Sequence, residues 1–240
     1  YNGARVDGSK NQIRGLGFFK DVEIVETPGS APDRTGLQVK VTEQPTGELS
    51  FSAGYSSVDQ LVMDVGVTER NFRGGGQEAR ARVWAGSLRQ QIDFSFTEPR
   101  FLGRDLAAGF DLYSYKYDLT DYSAYKTQSV GGGVRLGFPL SLYSRGSARY
   151  TLRTDSVKLD QIYCDPTSQF LSPSLCSQRG TFLTSLVGFG YRMDRRNDPI
   201  NPTRGFYFEI NEDIAGVGGD VKYLRTEGEV GWYHGFTRRF

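Results

Sequence analysis

The stretch Glu43-Gln-Pro-Thr-Gly-Glu-Leu-Ser-Phe-Ser-Ala-Gly-Tyr-Ser56 marks the point at which the pattern of the sequence changes. From Gly47 onward, apolar side chains alternate with polar side chains or glycine. The apolar set here is Leu49, Phe51, Ala53 and Tyr55. Because successive side chains of a β-strand point to opposite faces, this alternation predicts a strand with one apolar face.

The same alternation recurs through the rest of the chain and predicts ten strands. They cover residues 47–56, 61–69, 76–86, 90–97, 105–117, 124–138, 146–158, 181–193, 205–214 and 220–233. Many of these stretches run to about ten residues or more, the length that a tilted strand needs to cross the hydrocarbon of a bilayer. Strands of a soluble β-sandwich are shorter, at about five or six residues. A transmembrane barrel is therefore favoured, with a long soluble β domain as the alternative.

The two faces of the predicted strands differ sharply in polarity. One face is apolar in every strand, as in Leu61, Met63, Val65 and Val67 of the second strand. The opposite faces carry Arg80, Arg82, Asp93, Asp111, Lys126, Arg135, Arg149, Arg153, Glu209, Asn211, Glu227 and Glu229. These faces are too charged for a dry core, whereas an apolar exterior and a polar lumen are typical of a barrel in lipid. The predicted fold class is mainly β, an antiparallel transmembrane β-barrel over residues 45–240.

Residues 1–44 have the pattern of a small αβ module. A helix is predicted over residues 7–17, with Asp7 or Ser9 as its N-cap and Gly17 as the residue that ends it. Two strands follow at residues 22–26 and 36–43, joined by a turn that contains proline and glycine. A module of this size buries too little apolar surface to fold alone, so we expect further sequence ahead of it.

Composition excludes several classes of function. The chain has 240 residues and a formal net charge of +1, without a basic tract, so nucleic-acid binding is not expected. No run approaches the roughly 18 apolar residues of a transmembrane helix. With one histidine, His234, the sequence offers no nucleophile with an oriented base, and we predict no catalytic residue, no cofactor and no metal site. The protein is therefore not expected to be an enzyme.

The chain has two cysteines, Cys164 and Cys176, and they lie in a polar stretch that contains proline. Their spacing suits a disulfide that closes a loop in an oxidising compartment, with free thiols as the alternative. A zinc site would need more ligands than two cysteines and His234 can supply. If the first strand starts in the periplasm, this long loop, residues 159–180, is extracellular, as the longer loops of outer-membrane barrels are. The turn at residues 194–204 is then periplasmic, and it is long for such a turn.

One short motif resembles a known family. Asp198-Pro-Ile-Asn-Pro-Thr-Arg-Gly-Phe206 is similar to the Asp-Pro-x-x-Pro-Thr-x-Gly signature of the BamA family of outer-membrane assembly factors, in the bacterial surface antigen superfamily with POTRA repeats. The residues that match this signature turn are Asp198, Pro199, Pro202, Thr203 and Gly205. A second stretch, residues 15–22, resembles the helix-to-strand signature of a POTRA repeat through Gly17, Phe18, Phe19 and Val22.

The resemblance implies how the chain is organised. Residues 1–44 would be the C-terminal part of the last POTRA domain, in the periplasm of a Gram-negative bacterium. Residues 45–240 would be about the first ten of the family's sixteen barrel strands, so the chain would be a fragment truncated at both ends.

The resemblance also implies a function that needs neither nucleotide nor cofactor. The protein would fold and insert unfolded outer-membrane barrel proteins into the lipid bilayer, together with accessory outer-membrane lipoproteins of the assembly complex. The family's seam, or lateral gate, would lie at the first strand, which consists of Gly47, Glu48, Leu49, Ser50, Phe51, Ser52, Ala53, Gly54 and Tyr55. The alternatives are a related transporter that exports polypeptides, of the two-partner secretion or autotransporter assembly type, and more distantly a passive porin.

Overall fold

The structure is a computed structural model, and it describes residues 3–31, 34–57, 59–120, 125–159, 164, 176–198 and 202–235. One helix comes first and twelve strands follow it. They are α1 (Gly3–Gly15), β1 (Phe19–Pro28), β2 (Thr35–Glu43), β3 (Gly47–Ser56), β4 (Gln60–Phe72), β5 (Gln77–Ala85), β6 (Arg89–Glu98), β7 (Ala107–Asp118), β8 (Tyr125–Ser141), β9 (Ser144–Leu159), β10 (Gly180–Asp194), β11 (Arg204–Ala215) and β12 (Tyr223–His234). No helix in the described part of the chain has the length and hydropathy needed to span a membrane.

The first three elements form a small module. Strands β1 and β2 pair antiparallel, with Val22 opposite Val41 and Ile24 opposite Val39. Helix α1 packs against β1, and Val22 is fully buried. The sequence predicted this order of elements, and the structure confirms it.

The start of α1 differs from the prediction. The helix begins at Gly3, so Asp7 and Ser9 lie inside it and neither is its N-cap. Alanine and arginine are strong helix formers, and Ala4 and Arg5 extend the helix ahead of the predicted cap. Its end agrees with the prediction, because Gly17 has a φ of 73° and follows the last turn in the left-handed conformation that glycine favours.

The other ten strands form one antiparallel sheet in which each strand pairs with its neighbour in sequence, from β3 to β12. All ten predicted strands are confirmed, with ends that differ by a few residues. Residues opposite each other in neighbouring strands share a face, as in Leu49 opposite Val67 and Val67 opposite Ala81. The register therefore joins the apolar side chains into one continuous face, and the charged side chains into the other.

Some charged residues nevertheless lie on the apolar face, and two of them show how they are paired. Lys126 lies on the same face as Val130, so its predicted place on the polar face is wrong; its Nζ pairs with Asp118 Oδ2 at 2.6 Å near the end of β8. Glu212 also lies on the apolar face, opposite Thr226, whose hydroxyl donates a hydrogen bond to Glu212 Oε2 at 2.6 Å. Each carboxylate is thus satisfied by a neighbour across the strand pair.

The two cysteines form a disulfide, with their Cα atoms 5.7 Å apart. The predicted pairing of Cys164 with Cys176 is therefore confirmed, in preference to free thiols. The residues between them lie outside the described part of the chain.

Candidate functional site at the edge strand and the signature turn

Strand β3 is an edge of the large sheet. Within the described residues it pairs only with β4, so its other side presents unpaired N–H and C=O groups. Its apolar side chains are uncovered: Leu49 is 74% exposed, Phe51 65% and Tyr55 80%. A strand with a free edge and uncovered side chains is able to accept a further strand by backbone pairing.

Most side-chain contacts between β3 and β4 lie at the base of β3. The hydroxyl of Thr46 and the backbone N–H of Asn71 both donate hydrogen bonds to Oε1 of Glu69, the second at 2.9 Å. Arg70 pairs with Glu48 at 3.2 Å. These contacts surround the start of the strand, where it leaves the αβ module.

Higher on β3 the ties become fewer. The hydroxyl of Ser50 donates to the carbonyl of Gly66 at 3.3 Å. Beyond it, among the described residues, no side chain from Phe51 to Tyr55 is hydrogen-bonded to β4, and backbone pairing alone holds this part of the strand. Gly54 adds no side-chain packing there, since open space surrounds its Cα. The side-chain contacts of the strand are therefore concentrated at one end.

The turn between β10 and β11, which we call the signature turn (residues 194–204), is organised around Arg196. Its guanidinium donates two hydrogen bonds to the carboxylate of Asp194, at 2.9 and 2.6 Å. It also lies over the ring of Tyr207, 4.9 Å from the centroid, and only 11% of the side chain is exposed. The hydrogen bonds that Arg196 donates to Asp194 raise the pKa of Arg196 further above its ordinary value, so this side chain stays charged.

Asn197 closes the same turn. Its Oδ1 accepts hydrogen bonds from the backbone N–H groups of Thr203 and Arg204, at 3.0 and 2.8 Å, and its Nδ2 donates to the hydroxyl of Thr203 at 2.9 Å. Next to it, Gly205 has a φ of 110°, and a Cβ there would lie 2.8 Å from the Cα of Arg196. The turn thus needs glycine at this position, for both its conformation and its space.

The family model described as the Omp85 superfamily domain matches residues 71–240, which include most of the large sheet. The chain belongs to the Omp85 superfamily.

Relatives support the assignment over the rest of this Omp85 chain. It is 27% identical to the outer membrane protein assembly factor BamA of Neisseria meningitidis, over all of its own length but 31% of the relative's. It is 22% identical to sorting and assembly machinery component 50 homolog B of Xenopus laevis, covering 92% of the chain and 46% of the relative. The chain thus spans under half of these relatives.

Solved structures match the fold. The crystal structure of BamA from Haemophilus ducreyi lacking POTRA domains 1-3 superposes with a TM-score of 0.65 at 22% identity, over 94% of this chain and 44% of that one. CdiB from Acinetobacter baumannii gives a TM-score of 0.53 at 13% identity, over 91% and 41%. The predicted fold class is confirmed. The Omp85/BamA family is non-enzymatic, which agrees with the predicted absence of catalysis, and the similarity to BamA indicates an outer-membrane location.

The structure brings most of the residues predicted from the Omp85 signatures to the ends of strands. Pro202, Thr203 and Gly205 lie where the signature turn enters β11, while Pro199 lies outside the described residues. Gly17 lies directly after α1, with Phe18 and Phe19 packed edge to face. Nε2 of Gln44 donates to the carbonyl of Gly17 at 2.8 Å. Between this module and the nearby strand ends is a cavity of about 1460 Å³.

Sequence reasoning missed the residues that organise the signature turn. The sequence predicts a long turn over residues 194–204 but no role for Asp194, Arg196 or Asn197. These three residues make its internal hydrogen bonds. The clustered charge of 194–198 was the available signal. Among the described residues no group of three or more His, Cys, Asp or Glu side chains is placed to hold a metal ion.

On the polar face of this Omp85 sheet, ion pairs cross over glycines. Arg149 of β9 reaches Asp213 of β11 across the intervening strand β10. The crossing is possible because residue 188 is glycine: a Cβ there would lie 2.6 Å from both Arg149 Nε and Asp213 Oδ1. Arg135 of β8 passes over Gly109 of β7 in the same way. Its guanidinium donates a hydrogen bond to the hydroxyl of Thr97 of β6 at 2.6 Å. Each crossing fastens three strands together.

Gly188→Ala should weaken this fastening. The added methyl group would separate Arg149 from Asp213, whose side chain is only 8% exposed, and leave a buried carboxylate poorly paired. We expect a loss of about 1–3 kcal/mol in the free energy of unfolding, measured by urea titration in lipid vesicles. Gly228→Ala in β12 is the matched control, because nothing lies within 4 Å of its added Cβ. Equal stability of the two variants would contradict the role given to Gly188.

Proposed function

We propose that this protein is the central component that folds and inserts β-barrel proteins into the outer membrane of a Gram-negative bacterium, through a lateral seam at β3. The observation that carries the proposal is the uneven attachment of β3. Glu69 and Arg70 bind the base of the strand, whereas beyond Ser50 only backbone hydrogen bonds join β3 to β4. An incoming strand can pair with the free edge of such a strand by β-augmentation.

The clients would be unfolded outer-membrane barrel proteins, and their backbone would supply the pairing groups. Because every backbone group needs a partner in lipid, a free edge beside the bilayer stabilises a strand that has not yet found its own neighbours. No nucleotide or other cofactor is needed for this pairing, since the hydrogen bonds and the buried apolar area provide the driving force. Accessory outer-membrane lipoproteins would act with the protein, as the similarity to BamA supports.

The αβ module fits a periplasmic position. We propose that residues 1–44 are the C-terminal part of the last POTRA domain and that residues 45–240 begin the barrel. The junction supports this division, because β2 ends at Glu43 and the large sheet begins at Gly47. The loop with the disulfide then lies on the extracellular side, where oxidised cysteines persist.

A disulfide that locks the seam tests the function. Ser52→Cys would be combined with a cysteine on the last barrel strand of the full-length protein, and insertion of a client barrel into vesicles would be followed with and without reductant. We expect the oxidised protein to lose client insertion and the reductant to restore it. The control pair is Asn211→Cys with Glu227→Cys, which face each other across β11 and β12, a strand pair that is not proposed to open.

Normal insertion of the client barrel while the seam is locked would contradict the proposal. A transporter that exports polypeptides through its lumen would keep its activity in the locked state, so the same experiment separates the two functions. A passive porin would show a large steady current in planar bilayers, whatever the state of the seam.

A further inference from the structure

Two turns on one edge of the large sheet expose leucine at their tips. Leu102, in the turn between β6 and β7, is 77% exposed, and Leu142, in the turn between β8 and β9, is 87% exposed. Turns alternate between the two edges of an antiparallel meander, so both lie on the edge that also carries the signature turn. We call Leu102 and Leu142 the rim leucines. Tips of turns are ordinarily polar, and these two are not.

The conformation of Leu102 makes its exposure more unusual. Its φ is 56°, in the left-handed region that a leucine rarely adopts. The strained backbone holds the side chain outward, where no described residue covers it. Strained residues of this kind persist where the surrounding structure fixes them, and they cluster at functional positions.

Leu142 continues an apolar row. Leu136, Phe138 and Leu140 lie on the apolar face of β8, and Leu142 follows them at the tip of a two-residue turn. Such turns favour Asn-Gly pairs in water, but this one is Leu142-Tyr143. The row that faces lipid thus extends to the end of the hairpin.

Arginines without ion-pair partners flank the rim leucines. Arg104 lies two residues after Leu102 and is exposed, whereas Arg100 lines the same cavity as Asp105. Arg195 lies over the ring of Tyr143, 5.3 Å from its centroid. Within the described residues neither Arg104 nor Arg195 forms an ion pair, whereas Arg135 and Arg149 on the polar face do. Unpaired guanidinium groups next to apolar tips fit a surface that is apolar inside and anionic at its boundary.

We propose that the rim leucines insert into the periplasmic leaflet of the membrane and that the flanking arginines bind the phosphates of anionic phospholipids. Tyr143 then sits at headgroup depth, where aromatic residues concentrate. The turn between β4 and β5, which lies on the same edge, has no such tip, because residues 73–76 are Arg-Gly-Gly-Gly. The membrane contact is therefore local to the β6–β9 side of the rim, away from the edge strand β3. The inference rests on the proposed placement of residues 45–240 in a membrane.

Site-specific fluorescence tests the contact. The two cysteines of this chain are paired, so Leu102→Cys and Leu142→Cys can each carry a polarity-sensitive dye in the full-length protein. In vesicles of phosphatidylethanolamine and phosphatidylglycerol we expect blue-shifted, severalfold brighter emission, with quenching by phospholipids brominated on their acyl chains. Asp105→Cys is the matched control, since Asp105 lies in the same turn and lines the cavity near the module. Its dye should stay accessible to acrylamide in water.

Two further measurements distinguish failure of the rim contact from failure of the proposed membrane placement. A dye at Val134→Cys, on the apolar face of β8, reports whether the barrel itself is in lipid. Quenching at position 134 without quenching at 102 and 142 would overturn the rim contact alone, and no quenching at any of them would overturn the membrane placement. The Arg104→Gln variant should lose, at position 102, the extra brightness that phosphatidylglycerol gives over phosphatidylcholine, and an unchanged difference would overturn the binding of anionic headgroups. Protection that appears only when other proteins are added would show a protein-binding surface and overturn the proposal.

Discussion

Replacing Gly205 with alanine is expected to lower the free energy of unfolding by about 3 kcal/mol or more. Two causes act together. The φ of 110° is a conformation that a residue with a Cβ rarely adopts, and the new methyl group would overlap the carbonyl oxygen of Arg195 and lie 2.8 Å from the Cα of Arg196. These atoms are backbone, so they cannot move without opening the signature turn, and the start of β11 would shift with it.

Substitutions at two other glycines measure the backbone strain and the steric overlap separately. Gly218 has a φ of 83° but open space around it, so Gly218→Ala adds backbone strain without overlap and should cost about 1 kcal/mol. Gly228→Ala adds neither and should cost little beyond its setting in the strand. Urea unfolding in vesicles, followed by tryptophan fluorescence, gives all three values. A Gly205→Ala protein as stable as the Gly218→Ala protein would show that the turn yields easily and is not fixed by Arg195 and Arg196.

Arg196→Gln is the second change expected to have a large effect, with a loss of about 2–3 kcal/mol in the free energy of unfolding. The arginine is nearly buried, and its removal takes two hydrogen bonds from the Asp194 carboxylate, which keeps a longer one from Arg192 at 3.4 Å. The stacking over Tyr207 is lost as well. Arg196→Lys keeps the charge but not the planar group that binds the carboxylate through two nitrogens, so it should recover only part of the loss.

The control for Arg196 is an exposed pair. Arg70→Gln breaks the ion pair with Glu48, in which both side chains are more than half exposed, and it should cost no more than about 1 kcal/mol. A double-mutant cycle with Asp194→Asn measures the coupling, which should be large for the Arg196 pair. If Arg196→Gln and Arg70→Gln prove equally mild, the signature turn does not depend on Arg196.

The sheet could be predicted from the sequence because its signal is local. Alternation such as Leu49, Phe51, Ala53 and Tyr55 is set by the strand's own geometry, and a sheet that separates an apolar from a polar surface repeats it in every strand. Neighbouring strands follow one another in sequence, so their pairing needed no long-range information. The disulfide was predictable for a related reason, since Cys164 and Cys176 close one loop.

The candidate site was harder to predict, because its contacts join residues whose meeting depends on the fold. Nothing in the order of residues tells that Arg196 turns back onto Asp194 and Tyr207 rather than into water. The prediction for Lys126 is wrong because charge indicates the polar face only in the middle of a strand, whereas a strand end can carry charge on either face. The left-handed conformation of Leu102 follows from its turn and not from its residue type.

The crossing of Arg149 over Gly188 to Asp213 also has a consequence for how the chain assembles. The pair can form only when three strands are already aligned, because it skips the middle one. A slip of one residue in either strand pair would turn every side chain of the displaced strand to the opposite face. Such a slip would carry Arg149 into hydrocarbon, at a cost of about 2–4 kcal/mol near the middle of the bilayer. The charge of Arg149 thus stabilises the folded sheet and also destabilises intermediates in which a strand is out of register.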